Sequence, residues 1–132
     1  MKPTVDQDRE RVIRERTMRG VPGLPGVAVA AVLRRVALGF GVTPEALRGR
    51  CRQMGVVWPR QVAHWILYQM GYSLPVLGRA LGRDHSGVLY NVRVVESYRD
   101  VYPEVRLDTN RLLELCMAEI EPERNQNENT NE

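Results

Sequence analysis

Ser73-Leu74-Pro75-Val76-Leu77-Gly78, continuing through Arg79-Ala80-Leu81 into Gly82-Arg83-Asp84-His85-Ser86-Gly87-Val88, is the stretch that decides the fold. Ser73 ahead of a Leu-Pro pair is a helix start, because the hydroxyl caps free amides and proline is tolerated in the first turn. Gly82 permits the left-handed backbone that a sharp turn between helices needs. The pattern predicts a helix from Ser73 to about Ala80, a turn at Leu81-Gly82-Arg83, and a longer helix from Asp84 to about Tyr98. Val88, Val92 and Val95 form the buried stripe of that second helix. Two helices on so tight a turn, with polar side chains crowded onto the start of the second, read as a helix-turn-helix.

The rest of the chain extends this pattern. Val27 to Phe40 is a helix, apolar nearly throughout except for Arg34 and Arg35 and closed by Gly39 and Gly41. Thr43 before Pro44 and Glu45 caps a short helix that ends at Gly49. Arg50-Cys51-Arg52-Gln53-Met54-Gly55 has no apolar period and reads as a basic loop. Pro59 then opens a helix to Met70, with Ala63, Ile66, Leu67 and Met70 facing inward and Gly71 ending it. Trp65 reads as a core or interface aromatic. After Pro103 a last helix runs from Glu104 to Ile120 and buries Leu112, Leu115 and Cys116. Nothing reads as a strand, so the domain is all-α, with about five to six helices. Residues 1–25 form a charged arm or helix plus a Gly/Pro linker, 26–120 the helical domain, and 121–132 an acidic, asparagine-rich tail expected to be disordered.

A chain of 132 residues suffices for one domain with a modest core. No apolar run is long enough to span a bilayer and the N-terminus is charged, so neither a membrane span nor a signal peptide is expected, and the location should be cytoplasmic. Cys51 and Cys116 have no paired Cys/His spacing for zinc and read as free thiols. The net charge of +3 hides an asymmetry. Residues 34–111 carry twelve arginines against six acids, whereas 112–132 carry one arginine against six acids. A basic body points to a polyanionic partner. Eighteen of the nineteen basic residues are arginine, which codon usage in a GC-rich genome would also produce, though the forked guanidinium suits phosphate and guanine contacts.

A helix that enters the major groove must present short polar side chains at its N-terminal turn. Asp84 can accept from a cytosine amino group, and His85 and Ser86 can donate or accept at neighbouring base edges. Amides at that helix start also favour a nearby phosphate. The plainer alternative is that Asp84 only caps the helix and His85 is a surface residue. Arg60, His64 and Tyr68, spaced i, i+4, i+8, make one stripe on the Pro59 helix; if Arg60 faces phosphates, the other two face them as well. Catalysis is not expected. There is no Gly-x-x-x-x-Gly-Lys-Ser/Thr loop, Lys2 is the single lysine, and the two histidines lack metal-ligand spacing. No cofactor and no metal are expected.

Ser73-Leu74-Pro75, Leu77-Gly78 and Arg83-Asp84-His85-Ser86, with Pro59-Arg60-Gln61 upstream, resemble the DNA-binding domain of the bacterial replication initiator DnaA. That family carries Ser-Leu-Pro, Ile-Gly, Arg-Asp-His-Thr-Thr-Val and Pro-Arg-Gln as its signature segments. The resemblance runs from about Val32 to Leu113. It implies that Arg52, in the basic loop with Arg50, enters the minor groove, where narrow A·T-rich geometry attracts arginine. It implies a phosphate contact for Arg60, DNA contacts for Leu74 and Pro75 on the first helix of the motif, and base reading by Asp84, His85 and Ser86, beside Arg83 and Gly87. The chain also departs from the family. Gly87 replaces a second threonine, Ser86 a first one, Tyr68 a lysine and Trp58 an arginine. Each cation fewer on the phosphates lowers the salt slope by about one unit.

The resemblance therefore implies a double-stranded DNA partner and a sequence-specific binder acting as a replication accessory or a regulator of replication or transcription, with a phage or plasmid as one setting. Replication or transcription proteins are possible partners for the N-terminal arm or acidic tail. The competing reading is a protein-interaction or DNA-packaging factor on a helix-turn-helix scaffold.

Overall fold

A computed structural model describes the backbone of residues 24–129 and the side chains of residues 24–120. The charged arm and most of the Gly/Pro linker lie outside the described residues, as do the last three positions. Within them the chain is all-α, with six helices: α1 Pro25–Phe40, α2 Pro44–Arg48, α3 Met54–Gln69, α4 Leu74–Leu81, α5 His85–Val101 and α6 Pro103–Asn129. None is long and apolar enough to cross a membrane.

Local signals set most of the boundaries. Thr43 Oγ1 accepts from the Ala46 amide at 3.1 Å, Ser73 Oγ from Val76 at 3.4 Å and Asp84 Oδ1 from Ser86 at 3.0 Å. Gly41 and Gly82 close α1 and α4 in the left-handed region, at φ 71° and 66°, a conformation that disfavours residues with a Cβ.

Two boundaries differ from expectation by more than three residues. Helix α3 begins at Met54, so Pro59 sits in its second turn and not at its start. Proline there removes one intrahelical bond, the one to the Gly55 carbonyl. Gly55 is exposed, and its freed carbonyl can face water. Helix α6 runs on to Asn129, past the expected end at Ile120. Polar composition alone does not terminate a helix. Its inward stripe is Thr109, Leu113 and Cys116; Leu112 is half-buried and Leu115 is 41% exposed.

Helix α3 is the centre of the domain, with every residue from Pro59 to Leu67 buried. It packs against α1 and α5. Trp58 meets Tyr98 edge-on at 5.3 Å and Gln61 bonds Asn91, which ties α3 to both the first half and the end of α5. Arg99 is buried over the Trp65 ring at 4.4 Å. Its Nη1 donates to Thr109 Oγ1 at 2.5 Å and Asn110 Oδ1 at 2.9 Å, which joins α3, α5 and α6. Helix α6 lies antiparallel to α1, with Leu112 beside Gly39 and Glu119 paired to Arg35 at 2.9 Å.

Candidate nucleic-acid interface

The α4–α5 turn is built on close backbone approach. The Arg83 amide donates to the Gly78 carbonyl at 2.8 Å. A Cβ on Gly78 would stand 2.7 Å from the Arg83 carbonyl oxygen, so only glycine lets the two segments meet there. The result is an open depression lined by Pro75, Gly78, Arg79, Gly82, Arg83, Asp84 and His85.

At its rim α5 begins with Asp84, His85, Ser86 and Gly87, all exposed. Asp84 does cap the helix, and the hydrogen bond from Ser86 holds its carboxyl below the usual carboxylate range. Its carboxylate nevertheless remains largely open to solvent, 3.6 Å from the exposed His85 imidazole. The Asp84 carbonyl also accepts from Gly87 and Val88. Asp84 therefore satisfies three of the first four amides of α5 and places a negative charge beside them. This end presents side chains to a ligand, not an amide nest for phosphate.

Arg50 and Arg52 are exposed on the loop after α2, and Pro75 is exposed with Leu74 half-buried against the core. Arg60 is elsewhere. It is 6% exposed, and its guanidinium donates to the carbonyls of Leu47 at 2.9 Å, Cys51 at 2.8 Å and Ala46 at 2.9 Å. It closes the C-terminal end of α2, where the Gly49 amide is the other donor to the Ala46 carbonyl, so its guanidinium is turned to backbone carbonyls and not presented at the surface.

His64 is fully buried. Its Nδ1 lies 3.0 Å from Asn91 Nδ2, and Asn91 Oδ1 accepts from Gln61 Nε2 at 3.2 Å. Burial first, then the nearby Arg83 and Arg60 charges, pushes the imidazole pKa down to about 3. Tyr68 is half-buried and packs against the core. The outward stripe expected of Arg60, His64 and Tyr68 is thus absent, because α3 is covered on every side along this segment. Arg83 is partly buried, and its Nη2 donates to the Arg48 and Gly49 carbonyls.

Two further exposed residues, Arg79 on the lining of the depression and Tyr90 on α5, are not singled out by the sequence motif. Arg79 lies one turn after Pro75 on α4, and Tyr90 one turn after Ser86 on α5. The i, i+4 spacing from Pro75 and Ser86 is the signal that points to both.

Residues 29–95, half the chain, match the family of the bacterial dnaA protein helix-turn-helix. The chain belongs to the DnaA helix-turn-helix family. It is 36% identical to the chromosomal replication initiator protein DnaA of Deinococcus radiodurans over 98 residues, 74% of this chain and 21% of that protein. The DnaA of Deinococcus deserti is 41% identical over 70 residues, covering 52% of this chain and 15% of the relative. That of Thermus thermophilus is 38% identical over 87 residues, covering 64% and 20%. The chain thus spans about a fifth of the length of these relatives. Among the departures from the DnaA pattern, Gly87 faces open space and has room for a side chain. Trp58 meets Tyr98 edge-on, and Tyr68 packs against the core, so the two positions at which the resemblance implied a cation in the family hold packed aromatics here.

Proposed function

We propose that this chain binds double-stranded DNA sequence-specifically, with the start of α5 in the major groove and the Arg50–Arg52 loop in the adjacent minor groove. The observation that carries this reading is the exposed Asp84-His85-Ser86-Gly87 edge, flanked by exposed Arg50, Arg52 and Arg79. Hydrogen-bonding groups at a helix start read base edges, while arginines around them neutralise phosphates. The DnaA membership supports a role tied to replication initiation: marking or competing for initiator-type sites, as an accessory or a regulator of replication or transcription.

Selection of bound duplexes from a random pool tests it. Convergence on one core flanked by A·T base pairs is the expected result. A recovered pool indistinguishable from the input would end the sequence-specific reading.

A further inference from the structure

Two guanidiniums from different elements converge on one short stretch of backbone. Arg60, on α3, donates to the carbonyls of Ala46, Leu47 and Cys51. Arg83, in the α4–α5 turn, donates to those of Arg48 and Gly49. The tie is reciprocal, because Arg48 Nη1 reaches back to the Ala80 carbonyl of α4 at 3.4 Å. Five backbone carbonyls between residues 46 and 51 are thus held by side chains from beyond the loop. No carboxylate stands against either guanidinium among the described residues; burial disfavours both charges, and the Arg60 and Arg50 charges further disfavour that of Arg83. Arginine pairs of this kind persist where the planar fork is needed to bridge several acceptors at once.

We infer that Arg83 is a positioning residue, which with Arg60 clamps the Arg48–Cys51 backbone to the helix-turn-helix so that the minor-groove loop and the start of α5 meet DNA as one rigid body. The inference rests on the proposed DNA reading for its consequence, but the clamp itself is a property of the free protein. Its value is preorganisation. A loop already held in register with α5 has less conformational entropy to lose on binding than a free one. Asp84 and His85 follow Arg83 directly in the chain, so anchoring residue 83 fixes the loop and the helix start to each other. Both Arg83 bonds leave its Nη2; lysine in its place keeps the charge, but its ammonium sits one bond short of that nitrogen on a flexible stem and loses the aim of the planar guanidinium.

Amide hydrogen exchange on the free protein tests the clamp, in wild type, Arg83→Gln and Arg83→Lys. Exchange of the Gly49 amide, which the Glu45 and Ala46 carbonyls hold where the loop leaves α2, should quicken about tenfold or more in both variants, with the α5 core unchanged. Gly49 exchange as slow in Arg83→Gln as in wild type overturns the clamp, whether or not the protein binds DNA. A double-mutant cycle on a selected duplex tests the consequence. Arg52→Ala should cost about tenfold in affinity in the wild-type background and less than about twofold beside Arg83→Gln. Additive losses, or full affinity in Arg83→Lys, would make Arg83 an ordinary phosphate contact and overturn the positioning role. If wild type showed no sequence preference at all, the DNA reading would fail while the exchange result still decided the clamp.

Discussion

His64 Nδ1 and the side-chain nitrogen of Asn91 lie 3.0 Å apart in the interior, joining central helix α3 to the helix that carries the candidate reading edge. Asn91 Oδ1 already accepts from Gln61, so its amide nitrogen donates to the imidazole and the imidazole proton resides on Nε2. Nε2 is buried with no partner among the described residues. Protonation would put a second buried N–H against the Asn91 amide, next to Arg83 and Arg60. The folded-state pKa of about 3 lies below the ordinary 6.5, so the unfolded chain binds the proton first as pH falls. Stability from neutral His64 is therefore full above pH 6.5 and is lost progressively as pH drops from 6.5 towards 3. Denaturant unfolding at pH 7.5 and pH 5.0 should differ by about 2 kcal/mol more in wild type than in His64→Gln. Equal pH dependence in the two proteins would refute the buried neutral histidine.

Gly78 and Gly87 should respond oppositely to alanine. At Gly78 the new Cβ meets the Arg83 backbone carbonyl at 2.7 Å, and that oxygen cannot swing away as a side chain would. The strain exceeds the gain in helix propensity, and Gly78→Ala should cost about 1–3 kcal/mol. At Gly87 nothing lies within 4 Å, so Gly87→Ala should stabilise by about 0.5–1 kcal/mol. Thermal unfolding of the two variants reads both signs.

Capping and base reading at Asp84 can be separated. Asparagine caps as well as aspartate does, so Asp84→Asn should melt close to wild type. It replaces an acceptor-only group with one that also donates, so the preferred base opposite this position should change away from cytosine. A melting curve and a repeated duplex selection on this variant check the two halves. An unchanged preference would reduce Asp84 to a cap.

Arg52 is exposed on a loop whose backbone is held just before it, at the Gly49 and Cys51 carbonyls. Arg52→Ala should weaken duplexes with A·T-rich flanks more than those with G·C-rich flanks, because narrow minor grooves concentrate negative potential. Affinities for a flank-swapped pair of duplexes measure it. Equal weakening of both would place Arg52 on a phosphate.

Elements governed by local chemistry were legible in the sequence. Thr43, Ser73 and Asp84 cap where their side chains and neighbours say they should, and Gly41 and Gly82 turn the chain. The start of α3 was hidden because Gln53 supplies no side-chain cap, while Pro59 imitates a first-turn proline. The direction in which Arg60 and His64 point could not follow from i, i+4 spacing. A helix buried all round has no solvent face for the period to reveal. The role of Arg83 depends on carbonyls 34 and 35 residues away, a tertiary relation with no local signature. Leu115 was misplaced because the inward stripe of α6 opens on polar Thr109 and Asn110, which are buried to hold Arg99.

The most direct test of base reading by α5 is the ratio of dissociation constants for the best selected duplex and a shuffled duplex of the same composition. It is measured at one salt concentration, for wild type and His85→Ala. Wild type should prefer the selected duplex, and His85→Ala should lose about 1–3 kcal/mol on it with little change on the shuffled one. An equal loss on both duplexes, or no preference in wild type, would contradict base reading by this helix.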